Sequence, residues 1–531
     1  MGAAPAGMAS AGTLVHRQCR YQARGAPRTG SADALREGGG ARGGPCVPAR
    51  RAAGWPAARG AALTRPAPRG PEPLLALDPL PAVVRLAAPT TLVMLIGAVS
   101  NVLYTYYVSR LGADAIAAVS LVFPISLVAI TAMGGGIGAG AASVIARALG
   151  AGRRADAATA AEHALALAVA IGIAFGAVMI AGSGTVFRWM GGSGAVLEAA
   201  APFARIVFGG ATITFVGGMF DSICRGEGNV RVPAIWSSTS LLLQIALTPV
   251  FMFALGLGLP GAAIAMLGSQ AIATIPRARH VLGGRGAVHP HAWPRRPSLE
   301  ALREILRIGI PSSLSTTINY VGIMVLTGVV ARLGTPDLAA YGLGTRLDFL
   351  LLSFAFGVSA AVLTLVGLAT GAGRPERAAS YVRSAAALIV SLLAVAAAIL
   401  WWRPSLWIGL FSSDPGIHEV GSLYFRIIGP TYPFVGLSMV LAFAFQGLGR
   451  PTAPLAVMAI RVPVVLAAAL ACTRWLGLEE RAVFATIAAG NVFSTAVLAA
   501  LFVRLHRDPA RASAHADAEA ATAALRSSSG G

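Results

Sequence analysis

From about residue 81 to about residue 505 the chain is a near-continuous series of apolar runs, parted only by short Gly, Pro and Arg punctuation. A segment needs roughly 20 apolar residues to cross the hydrocarbon core of a bilayer, and about twelve runs qualify. They lie near 81–108, 114–148, 155–182, 195–225, 230–257, 260–281, 304–333, 337–369, 377–402, 416–447, 452–475 and 481–505. Lipid offers the backbone no water to bond, so runs of this length must satisfy their own polar groups as helices. The expected fold is therefore an all-α polytopic membrane protein with twelve transmembrane helices. A chain of 531 residues that is 56% hydrophobic and 12% charged is too apolar to fold as a soluble domain.

The charge pattern orients these spans. All 42 basic residues are arginine, and the formal net charge is +20. Such a charge raises the question of nucleic acid, but the arginines sit in tails and short connections between apolar spans, where membrane orientation accounts for them. No nucleic-acid partner is expected. The even-numbered connections carry arginine in groups: Arg153 with Arg154, Arg225 with Arg231, then Arg277, Arg279, Arg285, Arg295 and Arg296, and later Arg374 with Arg377. The odd-numbered ones mostly carry one each, such as Arg110, Arg188, Arg332 and Arg403. Both termini are thus expected in the cytoplasm. The four cysteines, Cys19, Cys46, Cys224 and Cys472, form no close pair and no metal-ligand spacing.

The chain also repeats itself. "PTTLVMLIGAVSNVLYTYYVSRLGADAIAA" from Pro89 and "PSSLSTTINYVGIMVLTGVVARLGTPDLAA" from Pro311 share Pro, Arg-Leu-Gly and Ala-Ala at a shift of 222 residues. Further on, "GAGRRADAATAAEHALA" at Gly150 answers "GAGRPERAASYVRSAAA" at Gly371, and Arg205, Gly226, Gly228 and Pro233 answer Arg426, Gly447, Gly449 and Pro454, all at a shift of 221. Each half holds an even number of spans, so the halves run the same way. They should form two six-helix bundles related by a pseudo-two-fold axis along the membrane normal, with a site between them. The expected organisation is an Arg/Ala/Gly/Pro-rich disordered extension over 1–78 and a first bundle over 79–282. A cytoplasmic linker over 283–303, a second bundle over 304–506 and a disordered tail over 507–531 follow.

Two bundles with "RLG" after the first helix, "GAG" after the second and "RGEGNVRVP" or "QGLGRPTAP" after the fourth resemble the multidrug and toxic compound extrusion (MATE) family, bacterial type, over about residues 80 to 505. The resemblance implies export of organic, drug-like or cationic solutes through a cleft between the bundles, driven by antiport with H+ or Na+. It also implies a site in the first, fifth, seventh and tenth helices. An aspartate of the family's first helix falls on Tyr104, an asparagine and an aspartate of the fifth on Gln244 and Thr248, and a glutamate of the seventh on Asn319. The tenth carries no acid near "YPFVG", which begins at Tyr432. Each coupling carboxylate thus has a neutral replacement or is missing.

The spacing agrees with a cavity lining. Asn101 and Tyr104 are three apart, Gln244 and Thr248 four apart, and Thr316, Asn319 and Tyr320 sit at i, i+3 and i+4, so each set shares one helix face. The same spacing serves interhelical hydrogen bonding or an aromatic belt. Tyrosine, asparagine, glutamine and threonine are poor proton carriers near neutral pH, but they can bond and stack on an organic solute. The expected substrate-binding set is Asn101, Tyr104, Gln244, Thr248, Thr316, Asn319, Tyr320 and Tyr432.

Asp348 in "GTRLDFLLL" is the acid placed deep enough to couple an ion, a role it shares with the alternative of a structural ion pair. Arg205 and Arg426 are read as snorkelling to the interface. "GGGIGAG" at Gly134 is read as close helix packing, "HPHAWPRRP" as a solvated linker, and Asp221 with Arg225 as an i,i+4 pair. No motif brings a nucleophile, a base and an orienting group together, so no enzyme is expected. Neither is a metal or cofactor, H+ or Na+ aside. The partners are a small organic substrate and the lipid bilayer, the expected state is a monomer in a bacterial inner membrane, and the alternatives are an uncoupled facilitator, an amphiphile flippase, or a non-transporting membrane partner or sensor.

Overall fold

The structure is a computed structural model that describes residues 72–294, 297–474 and 480–507. Every regular element among the described residues is helical, and eleven or twelve of the helices are long and apolar enough to span a membrane, depending on whether one bent pair counts as a span. We number the spans α1 Pro79–Ser109, α2 Ala113–Gly150, α3 Arg154–Trp189, α4 Gly194–Gly209 with Ala211–Gly226, α5 Arg231–Ala254 and α6 Gly258–Leu282. The second six are α7 Leu299–Val330, α8 Thr335–Gly371, α9 Pro375–Trp402, α10 Pro415–Ile427 with Tyr432–Gly447, α11 Thr452–Arg474 and α12 Glu480–Arg507.

Local chemistry sets the helix starts. Ser298 caps α7 by accepting from the Ala301 amide at 3.2 Å, so the helix begins before residue 304, where the apolar run had placed it. Asp414 caps α10 in the same way, accepting from Ile417 N at 3.0 Å just ahead of Pro415. Gly152 and Gly373 end α2 and α8 at φ 75° and 67°, a conformation open to glycine at little cost.

Packing repeats at the sequence shift. A Cβ on Gly226 would lie 2.9 Å from Ala142 O, and one on Gly447 would lie 2.8 Å from Leu363 O, so α4 presses on α2 and α10 on α8 at the same place. Between the halves the contacts are reciprocal. Gly150 of α2 rests on the backbone at Leu368 of α8, while Gly371 of α8 rests on the backbone at Arg147 of α2. Ser143 Oγ donates to Gln446 O at 2.6 Å, and its counterpart Thr364 Oγ1 donates to Arg225 O at 3.0 Å. Each pair exchanges partners under one shift of 221, which is what a two-fold axis between the bundles requires.

A π-helical turn accounts for the change of shift. Ala132–Ile137 in α2 is π-helical, and α8 is α-helical throughout. A π-bulge takes one extra residue into a helix, so α2 needs one more residue than α8 between its Ala-Ala and its Gly-Ala-Gly. The shift accordingly falls from 222 to 221. The bulge carries the glycines of "GGGIGAG" against α7, where Ser313 Oγ donates to Ala132 O at 2.7 Å and Gly140 meets Ile305 O.

These contacts gather at one end. Residues 138–146 of α2 and 357–369 of α8 are continuously buried, and Arg147 of α2 pairs with Glu304 of α7 at 2.9 Å. The six-span halves are joined there by residues 283–298, so we call this the linker end. Most of Asn101–Ser109, at the far end of α1, is exposed or half-buried, and the inter-half hydrogen bonds among the described residues reach no further than Ser313.

Three expectations change at the linker end. The linker, exposed along most of the described part of "HPHAWPRRP", is also tethered: His291 Nδ1 lies 2.7 Å from Glu162 Oε1, and just ahead of the motif Val288 N donates to Glu227 at 3.0 Å and Ala287 and Val288 are buried. Residues 72–76, assigned to the disordered extension, form a helical turn. Its Leu74 carbonyl accepts from Tyr381 OH at 3.2 Å, and Arg377 donates to Leu77 O. Asp221 pairs with Arg277 at 3.1 Å rather than with Arg225, whose Nη2 donates to Ser222 Oγ, because the chain folds α6 against α4 and brings a second guanidinium to the acid. Residues 1–71 and the tail beyond Arg507 lie outside the described residues.

Candidate functional site

Each bundle holds a half-open cavity lined from all six of its own helices. The first, of about 220 Å³, is lined by Asn101 and Tyr104 of α1 and Gln244 of α5, with Ser126 of α2, Phe203 and Phe208 of α4 and Met266 of α6 among its other walls. The second, of about 200 Å³, is lined by Asn319 of α7, Asp348 of α8 and Tyr432 of α10, with Tyr341, Tyr424, Arg461 and Asn491. Of the expected binding residues, Asn101, Tyr104 and Gln244 line the first cavity and Asn319 and Tyr432 the second, while Thr248, Thr316 and Tyr320 line neither. Thr248 is buried, its hydroxyl donating to Gln244 O at 2.7 Å, and Thr316 likewise bonds its own helix at Ser312 O, 2.9 Å away. Tyr320 is half-buried on α7.

The two chambers correspond position by position. Phe203, Val207, Ala211 and Met266 of the first are matched by Tyr424, Ile428, Tyr432 and Ile487 of the second at the shift of 221, and Ser126 is matched by Asp348 at 222. Their chemistry differs. The first chamber is aromatic and aliphatic with two amides and no charge among its lining residues. The second holds a carboxylate, a guanidinium and three tyrosines, and the positions matching Asp348 and Arg461 are Ser126 and Ser240.

Asp348 is held by hydroxyls rather than by a counter-ion. Its Oδ2 accepts from Tyr424 OH at 2.7 Å and its Oδ1 from Tyr432 OH at 2.7 Å. Hydrogen bonds to a charged acceptor contribute about 1.5–3 kcal/mol each. The two tyrosines stand on opposite sides of the break in α10, where Gly429–Thr431 forms a 3-10 turn. One carboxylate thus staples both segments of a broken helix. The matching break in α4 has Phe203 and Ala211 in place of the tyrosines, and its segments meet at 42°, whereas the α10 segments run on as one span.

Arg461 had drawn no attention in the sequence, although an arginine nine residues into an apolar span is itself a signal. Its Nη2 donates to Asn491 Oδ1 of α12, and Asn491 Nδ2 donates to Thr431 Oγ1 in the α10 break at 2.9 Å. The break is therefore braced from α8 on one side and from α11 and α12 on the other. Arg205 and Arg426 are exposed on the outer faces of α4 and α10, in keeping with snorkelling. No cluster of metal-ligating side chains is found among the described residues.

A model of the MatE family matches residues 89–250 and, a second time, residues 311–471. The chain is 26% identical to the FAD transporter of Shewanella oneidensis over 68% of this chain and 81% of that one. It is 25% identical to the probable multidrug resistance protein NorM of Thermotoga maritima, over 61% of this chain and 70% of that one. Among solved structures, a multidrug resistance MATE family transporter of the MOP superfamily in an outward-facing conformation superposes with a TM-score of 0.76 at 28% identity, covering 82% of this chain and 97% of that one.

Proposed function

The chain belongs to the MatE family, the multidrug and toxic compound extrusion transporters, and from that premise we propose that it exports organic solutes by antiport, with Asp348 carrying the coupling proton. The observation that carries this reading is the Asp348 staple. As a carboxylate, Asp348 accepts one tyrosine hydroxyl on each oxygen. A proton on either oxygen makes that oxygen a donor, and the tyrosine hydroxyl on that side turns to accept, so a charge-assisted bond is exchanged for a weaker neutral one. Tyr424 and Tyr432 belong to different segments of α10, so protonation loosens the grip across the break and frees α10 to bend as α4 does.

The uncharged chamber of the first bundle is suited to the apolar body of a solute, with Asn101, Tyr104 and Gln244 supplying directional bonds and a ring face. H+ is favoured over Na+, because a guanidinium already lines the chamber that holds Asp348. One relative is named an FAD transporter and another a probable multidrug resistance protein, and these names support an organic solute here. The linker end, rich in arginine, is placed in the cytoplasm with both termini, in a bacterial inner membrane. The tight contacts at that end then describe a carrier closed towards the cytoplasm.

The experiment is flux in proteoliposomes. Ethidium moved by an imposed pH gradient in the wild type and not in Asp348→Asn supports the reading. Gradient-independent flux in both would replace it with facilitation, and no flux of ethidium or other organic solutes in either would favour a non-transporting role.

A further inference from the structure

We infer that Arg461 and Asn491 form a binding subsite for an organic oxyanion, a carboxylate, sulfonate or phosphate ester on an apolar body, in the chamber of the second bundle. This deepens the reading above by naming the chemistry of a solute group that this chamber recognises.

Arg461 lies about 14 Å along α11 at a rise of about 1.5 Å per residue, inside the apolar span. Two other inward arginines each have a carboxylate, Arg147 with Glu304 at 2.9 Å and Arg277 with Asp221 at 3.1 Å. Arg461 has none within ion-pair distance among the described residues. Its partners are the neutral Asn491 and the weak acceptor Met458 Sδ at 3.8 Å. The guanidinium carries five N–H donors in a planar fork, and these two partners leave donors free on a residue that lines the cavity.

An intramembrane guanidinium without a counter-ion is costly and marks a functional position. A carboxylate or phosphate offers the planar pair of oxygens that the fork accepts. Asn491 holds the fork in place, because its own amide is fixed to Thr431. Val465, Leu466 and Ile487 beside Arg461 supply an apolar wall for the rest of the molecule. The first bundle lacks this pair, having Ser240 and Gln270 at the matching positions, so the recognition belongs to one chamber only.

The test compares three molecules of one shape. Binding of 2-naphthoate, 2-naphthamide and 2-naphthylmethylammonium is measured by calorimetry on the full chain in phosphatidylcholine nanodiscs. The expected result is naphthoate at least tenfold tighter than naphthamide in the wild type, a ratio near one in Arg461→Gln, and an intermediate ratio in Arg461→Lys, which keeps the charge and loses the fork. Equal affinity of naphthoate and naphthamide in the wild type overturns the proposal, whatever the variants do. So does a preference that survives Arg461→Gln in protein that melts like the wild type. Repeating the measurement with phosphatidylglycerol in the nanodisc separates two sources of the oxyanion. A fall in naphthoate affinity assigns the subsite to lipid phosphate, and no fall assigns it to soluble oxyanions. Failure of the Asp348→Asn flux experiment leaves the naphthoate ratio standing, so the two readings can fail separately.

Discussion

Replacing Gly150 or Gly371 by alanine should open the linker end, and by the same amount. A Cβ at position 150 would lie 2.9 Å from Leu368 C and 3.1 Å from Ala372 N, and one at 371 would lie 2.8 Å from Arg147 C and 2.9 Å from its Cα. Ordinary contact begins near 3.4 Å. The nearest obstacle in each case is a backbone carbonyl oxygen, that of Leu368 or of Arg147, so no rotamer change relieves it, and α2 and α8 must part by about 1 Å or more. Overpacking of this kind costs about 1–3 kcal/mol. The cost falls only on the state in which the linker end is closed, so either variant should shift the conformational equilibrium by roughly five- to 150-fold.

Because one separation of the two helices relieves both clashes, the double variant should add less than the sum of the single ones. Spin labels at the exposed far-end positions Ser109 and Ala331 report the change as a gain in the short-distance population. A shift in Gly150→Ala with none in Gly371→Ala, or full additivity in the pair, would refute the reciprocal packing.

Three more outcomes follow from named contacts. Burial pushes the Glu227 carboxyl up to about 7 from its ordinary 4.5, against amide bonds from the 287–288 backbone. Since the folded state holds this proton up to higher pH than the unfolded state, its contribution is present in acid, is lost as pH rises from about 4.5 through about 7, and is flat above. The loss is about 3 kcal/mol, so Glu227→Gln should flatten the melting temperature between pH 5 and pH 8, and an unchanged slope would contradict it. Tyr424→Phe and Tyr432→Phe should each lower stability by about 1.5–3 kcal/mol through a lost bond to Asp348, read as melting in nanodiscs. Arg277→Met should cost about 3–5 kcal/mol by leaving Asp221 unpaired, with Asp221→Asn restoring most of it, and a double variant as unstable as the single one would count against the ion pair.

The spans and the duplication were legible because both are carried by local chemistry: apolar length, Arg-Leu-Gly and Gly-Ala-Gly turns, and one shift. Even the one-residue slip was visible, although only the helix geometry shows that a π-turn at Ala132–Ile137 absorbs it. Tertiary choices were not legible. Asp221 had Arg225 four residues away and found Arg277 across a helix pair, and the exposed His291 of "HPHAWPRRP" reaches Glu162, 129 residues away. The depth of Asp348 could be read from its place in the run, but its partners could not, since Tyr424 and Tyr432 lie 76 and 84 residues away. The shared cleft is what the family resemblance implies, whereas the placing of Asn101 and Asn319 in two cavities, one in each bundle, is set by tertiary packing that no local motif carries.

The most direct test is to count protons. Vesicles containing the purified chain and a lumenal pH dye are given a pH gradient, and ethidium is added to one side. The wild type should dissipate the gradient as ethidium moves, and Asp348→Asn should leave it intact. Proton movement in Asp348→Asn equal to that of the wild type would contradict the assignment of coupling to this carboxylate.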